Sequence, residues 1–291
     1  MHYYGAVIRP PSEARSYILQ VTYGCSHNRC TFCGTYQDKP FRVRETNQVM
    51  DDIELARSLR PNTRRVFLAD GDALVLNANR LNHILDALND AFPHLERVGV
   101  YANAQNLLRK SSDELKTLRI KGLGIIYLGL ESGDDEVLKC ILKGATAAEM
   151  IAATAKAKQA GLLVSVIGIL GIASLKGSTQ HARLTGQVVS QMEPDYFSML
   201  TLMLVPGTQL HQKWETGVFQ LPDAEQMLVE LHQVIENLDA PTNCIFRTNH
   251  ASNYLALRGT LPRDKTRLLT ALDAAITQGP DVFRPEALRG L

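Results

Sequence analysis

Cysteine is scarce in this sequence: five among 291 residues, two of which (Cys140 and Cys244) have no other cysteine close by in the chain. Charge of one sign is missing too. The formal net charge of +1 argues against an extended nucleic-acid footprint while leaving room for a local basic patch. No apolar run approaches the about 20 residues needed to cross a bilayer, so no membrane span is expected. The opening Met1-His2-Tyr3-Tyr4-Gly5 lacks the basic region and apolar stretch of a signal peptide. Internal repeats, low-complexity tracts and long linkers are also absent. What remains is the composition of an ordinary globular enzyme, 45% hydrophobic and 21% charged. Its length suffices for one sizeable core with a small appendage.

Against that scarcity, three cysteines crowd into the nine positions from Cys25 to Cys33, spaced C-x4-C-x2-C. Three thiols cannot close into disulfides among themselves without leaving one over. They follow the apolar run Tyr17-Ile18-Leu19-Gln20-Val21-Thr22-Tyr23, which reads as a buried strand, so they occupy the loop at its C-terminal end. Clustered thiolates suit a soft metal. A structural zinc would need a fourth ligand from His27, Cys140 or Cys244. An iron–sulfur cluster would be held by three thiolates with one iron left open to a ligand. Both remain readings of the spacing, and thiolates that must stay reduced point to a cytoplasmic setting.

Downstream, helical and strand periods alternate. Helices are expected from Asn47 to Leu59, Ala78 to Ala91, Ser111 to Leu118 (with Ser112 as N-cap), Thr146 to Ala160 (stopped by Gly161) and Ser178 to Met192. Strands are expected at Arg65–Ala69, Arg97–Tyr101, Gly124–Leu130, Leu162–Gly171 and Tyr196–Leu204. The strands are nearly continuous in apolar residues, as parallel strands covered on both faces are. Six strand–helix alternations make an α/β fold, most simply an open, partial (β/α)6 TIM-like barrel over residues 17–210, after a short N-terminal extension (1–16). Residues 211–291 read as a helical and loop extension packed on the barrel, with helices from Asp223 to Leu238 and Asp264 to Thr277.

The cysteine loop, ending Cys30-Thr31-Phe32-Cys33 after the first strand, resembles that of the radical S-adenosylmethionine (SAM) superfamily, and the resemblance runs from about Tyr17 to Gly207. The first spacing carries four residues where the usual form has three. The run Gly129 to Lys139 is similar to the branch holding methylthiotransferases and oxygen-independent coproporphyrinogen oxidases. The resemblance implies a [4Fe-4S] cluster on Cys25, Cys30 and Cys33, with SAM as the second cofactor. It also implies a low-potential electron donor such as flavodoxin or ferredoxin, and hydrogen abstraction by a 5′-deoxyadenosyl radical. It assigns SAM contacts to strand ends, where α/β folds bind ligands. These are Asp70, Gly71 and Asp72 for the amino group, Asn103 for the carboxylate, Glu131 for the ribose hydroxyls, and Leu204 and Val205 beside the adenine, near Ile167-Gly168-Ile169-Leu170-Gly171.

Other readings are local. Arg247, His250, Asn253 and Arg258 gather hydrogen-bonding groups in one short stretch and are the candidate substrate contacts. Arg42 and Arg44 read as a solvated basic connector. Cys140 and Cys244 read as small buried hydrophobes, and Tyr23, Tyr36 and Tyr101 as aromatic packing or radical relay. A small molecule is the expected substrate. The competing classes are an RNA-modifying radical enzyme and a zinc-stabilised binding protein on a barrel scaffold. The first is disfavoured because about 16 residues precede the first strand and the tail is not strongly basic.

Overall fold

The structure is a computed structural model that describes residues 2–240 and 242–290. In chain order it comprises β1 (Tyr17–Gln20), β2 (Thr22–Tyr23), β3 (Arg42–Val43), α1 (Thr46–Leu59), β4 (Arg65–Ala69), α2 (Ala78–Ala91), β5 (Arg97–Ala102), α3 (Ala104–Arg109), α4 (Ser112–Ile120) and β6 (Leu123–Glu131). There follow α5 (Asp135–Cys140), α6 (Ala147–Gln159), β7 (Leu163–Leu170), α7 (Ser174–Met192), β8 (Tyr196–Thr201), α8 (Gln209–Glu215), α9 (Ala224–Glu236), β9 (Cys244–Arg247), β10 (Arg258–Leu261) and α10 (Lys265–Gln278). Among the described residues, eight strands belong to a mostly parallel sheet.

Two compact units divide the chain. The first takes the chain up to Asn28, Thr35–Leu128 and Ala155–Val164. Its strand order is β1-β4-β5-β6, all parallel. Apolar residues at both faces are buried: Val66, Phe67, Leu68 and Ala69 of β4 have no measurable exposure. Helices α1 and α2 pack on each other, with α4 beside α2. Helix α4 begins at a capping box in which Ser111 accepts from the Glu114 amide and Glu114 accepts from that of Ser111. The cap is therefore Ser111 and not Ser112, because only Ser111 stands three residues before the glutamate. Gly161, at φ +80°, follows α6 as expected, in a left-handed conformation that costs glycine little.

The second unit takes Arg29–Gly34, Gly129–Thr154 and the chain from Ser165 onward. Here β8 pairs parallel with β7 and β9, and β10 closes antiparallel on β9. The segment beyond residue 210 thus supplies two strands besides its helices. Helix α7 packs on α9, and α9 on α10. Leu138, Ile141, Ile169, Ile172, Leu202, Leu210 and Phe219 form a buried apolar cluster, and Phe32 of the cysteine loop packs against it.

Two sequence expectations fail here for stated reasons. Arg44 is not solvated. Its guanidinium is buried, donating to Asp52 Oδ2 and the Gln20 carbonyl at 2.8 Å each. Burial alone would raise the Asp52 carboxyl, but the Arg44 hydrogen bond and charge, with His2, outweigh it and hold the group below its ordinary range. Cys140 is exposed, because it is the last residue of the short α5; Cys244, in β9, is buried as expected.

Candidate active site

In the first unit the C-terminal ends of β1 and β4 bring Cys25 beside the Asp70-Gly71-Asp72 turn. A Cβ placed on Gly71 would stand 2.5 Å from Tyr36 Cε2, 2.8 Å from Tyr36 Cζ and 2.9 Å from Cys25 Cβ. No heavy atom fits there, so this turn is glycine because the cysteine loop lies on it.

The flanking aspartates hold the loop down. Asp70 is fully buried. Its Oδ2 accepts from Lys39 Nζ at 2.6 Å, Gln20 Nε2 at 2.9 Å and the Gly24 amide at 3.1 Å. Asp72 is 1% exposed. Its Oδ1 accepts from the Asn103 amide, and its Oδ2 from Ser26 of the cysteine loop, from Asn103 Nδ2 at 2.7 Å and from Asn106 Nδ2. Desolvation pushes the Asp72 carboxyl up to about 6, against the opposing pull of those donors and of the Lys110 charge. Asn103 caps α3 by accepting from the Asn106 amide, so both ends of its side-chain amide are engaged by the chain. Asp70, Asp72 and Asn103 therefore latch the start of the cysteine loop to β4 and β5.

In the second unit, Cys30 and Cys33 sit in a tight turn in which the Cys33 amide donates to the Cys30 carbonyl at 3.2 Å. The turn is fixed on both sides. The Thr31 amide donates to Ile141 O at 3.0 Å, and the Thr31 carbonyl accepts from the Leu210 amide at 2.9 Å. Gly34 lies directly against Val205, which with Leu204 follows β8. Leu204 packs on the same apolar cluster as Phe32. Glu131 ends β6 in the left-handed region at φ +63°. Its carboxylate, largely buried, pairs with Lys143 Nζ at 2.7 Å and lies over Gly129.

The candidate substrate residues separate in the same unit. Arg247 and Arg258 face each other in register across β9 and β10. His250 is half-buried, with its imidazole pulled below its ordinary range by burial and by Arg284. Asn253 is an internal brace: Nδ2 donates to the Met199 and Thr248 carbonyls at 2.9 and 3.0 Å, and Oδ1 accepts from Thr201 Oγ1. Of the tyrosines, Tyr101 packs edge-on to Phe67 with ring centroids 5.0 Å apart, and Tyr36 is buried against the Gly71 turn.

None of the three loop cysteines is in a disulfide, and all are partly exposed. Among the described residues no three His, Cys, Asp or Glu side chains close on one point as metal ligands do. The donor set nonetheless fits an iron–sulfur cluster. Three thiols, none of them in a disulfide, hang from one loop, the soft donor set that such a cluster takes. Four residues of this region escape sequence reasoning: Ser26, Lys39, Asn106 and Lys143. Each is an ordinary surface-type residue whose partner lies 12 to 46 positions away.

Comparison with known proteins places the chain in a family. The radical SAM superfamily profile matches residues 19–178. A putative methylthiotransferase of Methanocaldococcus jannaschii is 24% identical over 278 residues, covering 91% of this chain and 58% of that protein. The heme chaperone HemW of Bacillus subtilis is 21% identical over 185 residues, covering 62% and 47% respectively. The chain thus spans about half the length of these curated relatives. Among solved structures, the fold is similar to coproporphyrinogen III oxidase HemN from Escherichia coli, a radical SAM enzyme (TM-score 0.57, 17% identity, 76% of this chain and 51% of that one). It is likewise similar to methylornithine synthase PylB (TM-score 0.54, 15% identity, 92% and 85%). No helix among the described residues is long and apolar enough to cross a membrane. With more than half its length matched, the chain belongs to the radical SAM superfamily, whose cofactors are a [4Fe-4S] cluster and S-adenosylmethionine.

Proposed function

We propose that Cys25, Cys30 and Cys33 hold the [4Fe-4S] cluster and that the enzyme abstracts a hydrogen atom from a small-molecule substrate. Held by these three thiolates, a [4Fe-4S] cluster would supply the one-electron reduction that cleaves SAM, the chemistry by which the superfamily generates its hydrogen-abstracting radical. A low-potential flavodoxin or ferredoxin supplies that electron.

The chain's own residues bind and orient. The backbone carbonyls of the Asp70–Asp72 turn receive the SAM ammonium group, while Asp72 and Asn103 keep the turn and Ser26 in register. Glu131, held by Lys143 through one oxygen, keeps its other oxygen for the ribose hydroxyls. Leu204 and Val205 offer an apolar wall to the adenine and exclude water from it. Arg247, His250 and Arg258 are the proposed substrate contacts. Asn253, whose amide is filled by the chain, fixes the segment that carries them.

The observation that carries this reading is the contact of Cys25 with Gly71. A Cβ added to the glycine assigned to SAM would stand only 2.9 Å from Cβ of the cysteine assigned to the metal, 46 positions away. The test is anaerobic reconstitution with iron and sulfide, followed by dithionite and SAM, with 5′-deoxyadenosine as the readout. The reading expects product from the wild type and none from Cys25→Ala, Cys30→Ala or Cys33→Ala. A colourless protein holding stoichiometric zinc and making no product would overturn it.

A further inference from the structure

Behind the Glu131 turn lies a chain of buried polar groups that the proposed chemistry does not use. Ser132, His181, Thr185 and Glu230 each have no measurable exposure. Burying a carboxylate and an imidazole together is costly unless each is satisfied, so an arrangement kept in the core calls for a purpose. Glu230, on α9, accepts from the Gly171 amide at 2.7 Å and from the Ser178 hydroxyl. His181, on α7, presents Nε2 to Glu230 Oε1 at 3.4 Å. At that distance Nε2 makes no hydrogen bond to the carboxylate, so Glu230 flanks this edge of the ring while the opposite edge faces two hydroxyls. There Nδ1 stands 2.8 Å from Ser132 Oγ and 3.3 Å from Thr185 Oγ1.

Both hydroxyls are spent on the turn that follows Glu131. Ser132 Oγ accepts from the Asp134 amide at 3.0 Å, and Thr185 Oγ1 from the Gly133 amide at 2.9 Å. Glu131 itself is a non-glycine residue at φ +63°, a conformation that persists only where its surroundings over-determine it. The groups that determine it are these. Glu230 flanks the imidazole, the imidazole meets both hydroxyls, and the hydroxyls pin the amides of Gly133 and Asp134, two and three residues after Glu131.

We propose that Ser132, His181 and Glu230 are positioning residues: a buried relay that fixes the left-handed turn at Glu131 and so aims its carboxylate at the SAM ribose. This rests on the reading of Glu131 as the ribose-binding group, and the test separates the two. SAM dissociation constants are measured by equilibrium dialysis on anaerobically reconstituted wild type, Glu131→Gln, Ser132→Ala, Glu230→Gln and the two double variants containing Glu131→Gln. Amide exchange of residues 131–134 is followed in the same chains before reconstitution.

The proposal expects Glu131→Gln to weaken SAM binding by about tenfold or more and each relay variant by about fivefold, from the loss of one charge-assisted or neutral hydrogen bond. Neither relay variant weakens it further in the Glu131→Gln background, because the same contact cannot be lost twice. Exchange at Gly133 and Asp134 speeds up in both relay variants. Full additivity in the double variants, or unaltered exchange at those amides, overturns the relay while leaving Glu131 in place. Wild-type SAM affinity in Glu131→Gln overturns both. If Ser132→Ala fails to fold, Glu230→Gln, which keeps the side chain's shape, carries the test with His181→Gln beside it.

Discussion

Gly71→Ala is the smallest change that addresses the proposed link between SAM turn and metal loop. Gly71 is not in the left-handed region, so an alanine meets no backbone penalty there. The whole cost is steric. The added methyl would stand 2.5 and 2.8 Å from two carbons of the Tyr36 ring and 2.9 Å from Cys25 Cβ, all inside van der Waals contact. Tyr36 is 7% exposed and cannot swing away, so the turn or the cysteine loop must shift. Overpacking by one methyl in such a site costs about 1–3 kcal/mol. For a chain of this length, that is a fall of about 2–6 °C in Tm. The shift falls on Cys25, so the iron bound per chain after reconstitution is expected to drop together with Tm. Thermal unfolding before reconstitution and iron analysis after it check this, with Gly290→Ala, where an added Cβ meets nothing within 4 Å, as control. A Gly71→Ala protein with wild-type Tm and full iron would refute the packing of the loop on the turn.

Other expectations follow from the buried charges and thiols. Asp52→Ala strands the Arg44 guanidinium in the core and is expected to destabilise by about 3–5 kcal/mol, whereas losing the exposed Arg57–Glu54 pair changes stability by less than about 1 kcal/mol; denaturant unfolding compares them. Because burial pushes Asp72 up to about 6, the folded chain holds that proton more tightly than the unfolded chain, whose carboxyl titrates near about 4. Its stabilising contribution is complete below the lower value and is lost as pH rises through the upper one. The Tm of the wild type relative to Asp72→Asn is therefore expected to decline between about pH 4 and pH 7, and a constant difference would contradict the assignment. Finally, a thiol reagent should label Cys140 quickly and Cys244 only on unfolding, as peptide mapping would read.

How much of this was legible in the sequence depended on the range of the interaction. The parallel strands were plain, because strands covered on both faces are continuous apolar runs: β4, β5 and β6 fall within a residue or so of their expected places. The cysteine spacing and the polar strand ends were plain for the same reason of locality. Strands β9 and β10 were not. Cys244–Arg247 alternates buried and half-buried residues over only four positions, and its place in the sheet is set by pairing with Tyr196–Ser198. The burial of Lys39 and Arg44 was hidden because a lysine or arginine in a loop reads as solvated until its carboxylate, Asp70 or Asp52, is brought to it. The Asp72 latch and the His181–Glu230 pair are likewise products of the third dimension, joining residues 31 and 49 positions apart.

The central claim is that the cysteine loop carries a cluster with one iron open to SAM. It is tested most directly by electron paramagnetic resonance of the dithionite-reduced, anaerobically reconstituted protein with and without SAM. A reduced [4Fe-4S] signal is expected, one that shifts when SAM is added and is lost in Cys25→Ala, Cys30→Ala and Cys33→Ala. A signal that SAM leaves unaltered, or one that survives removal of any of these cysteines, would contradict it.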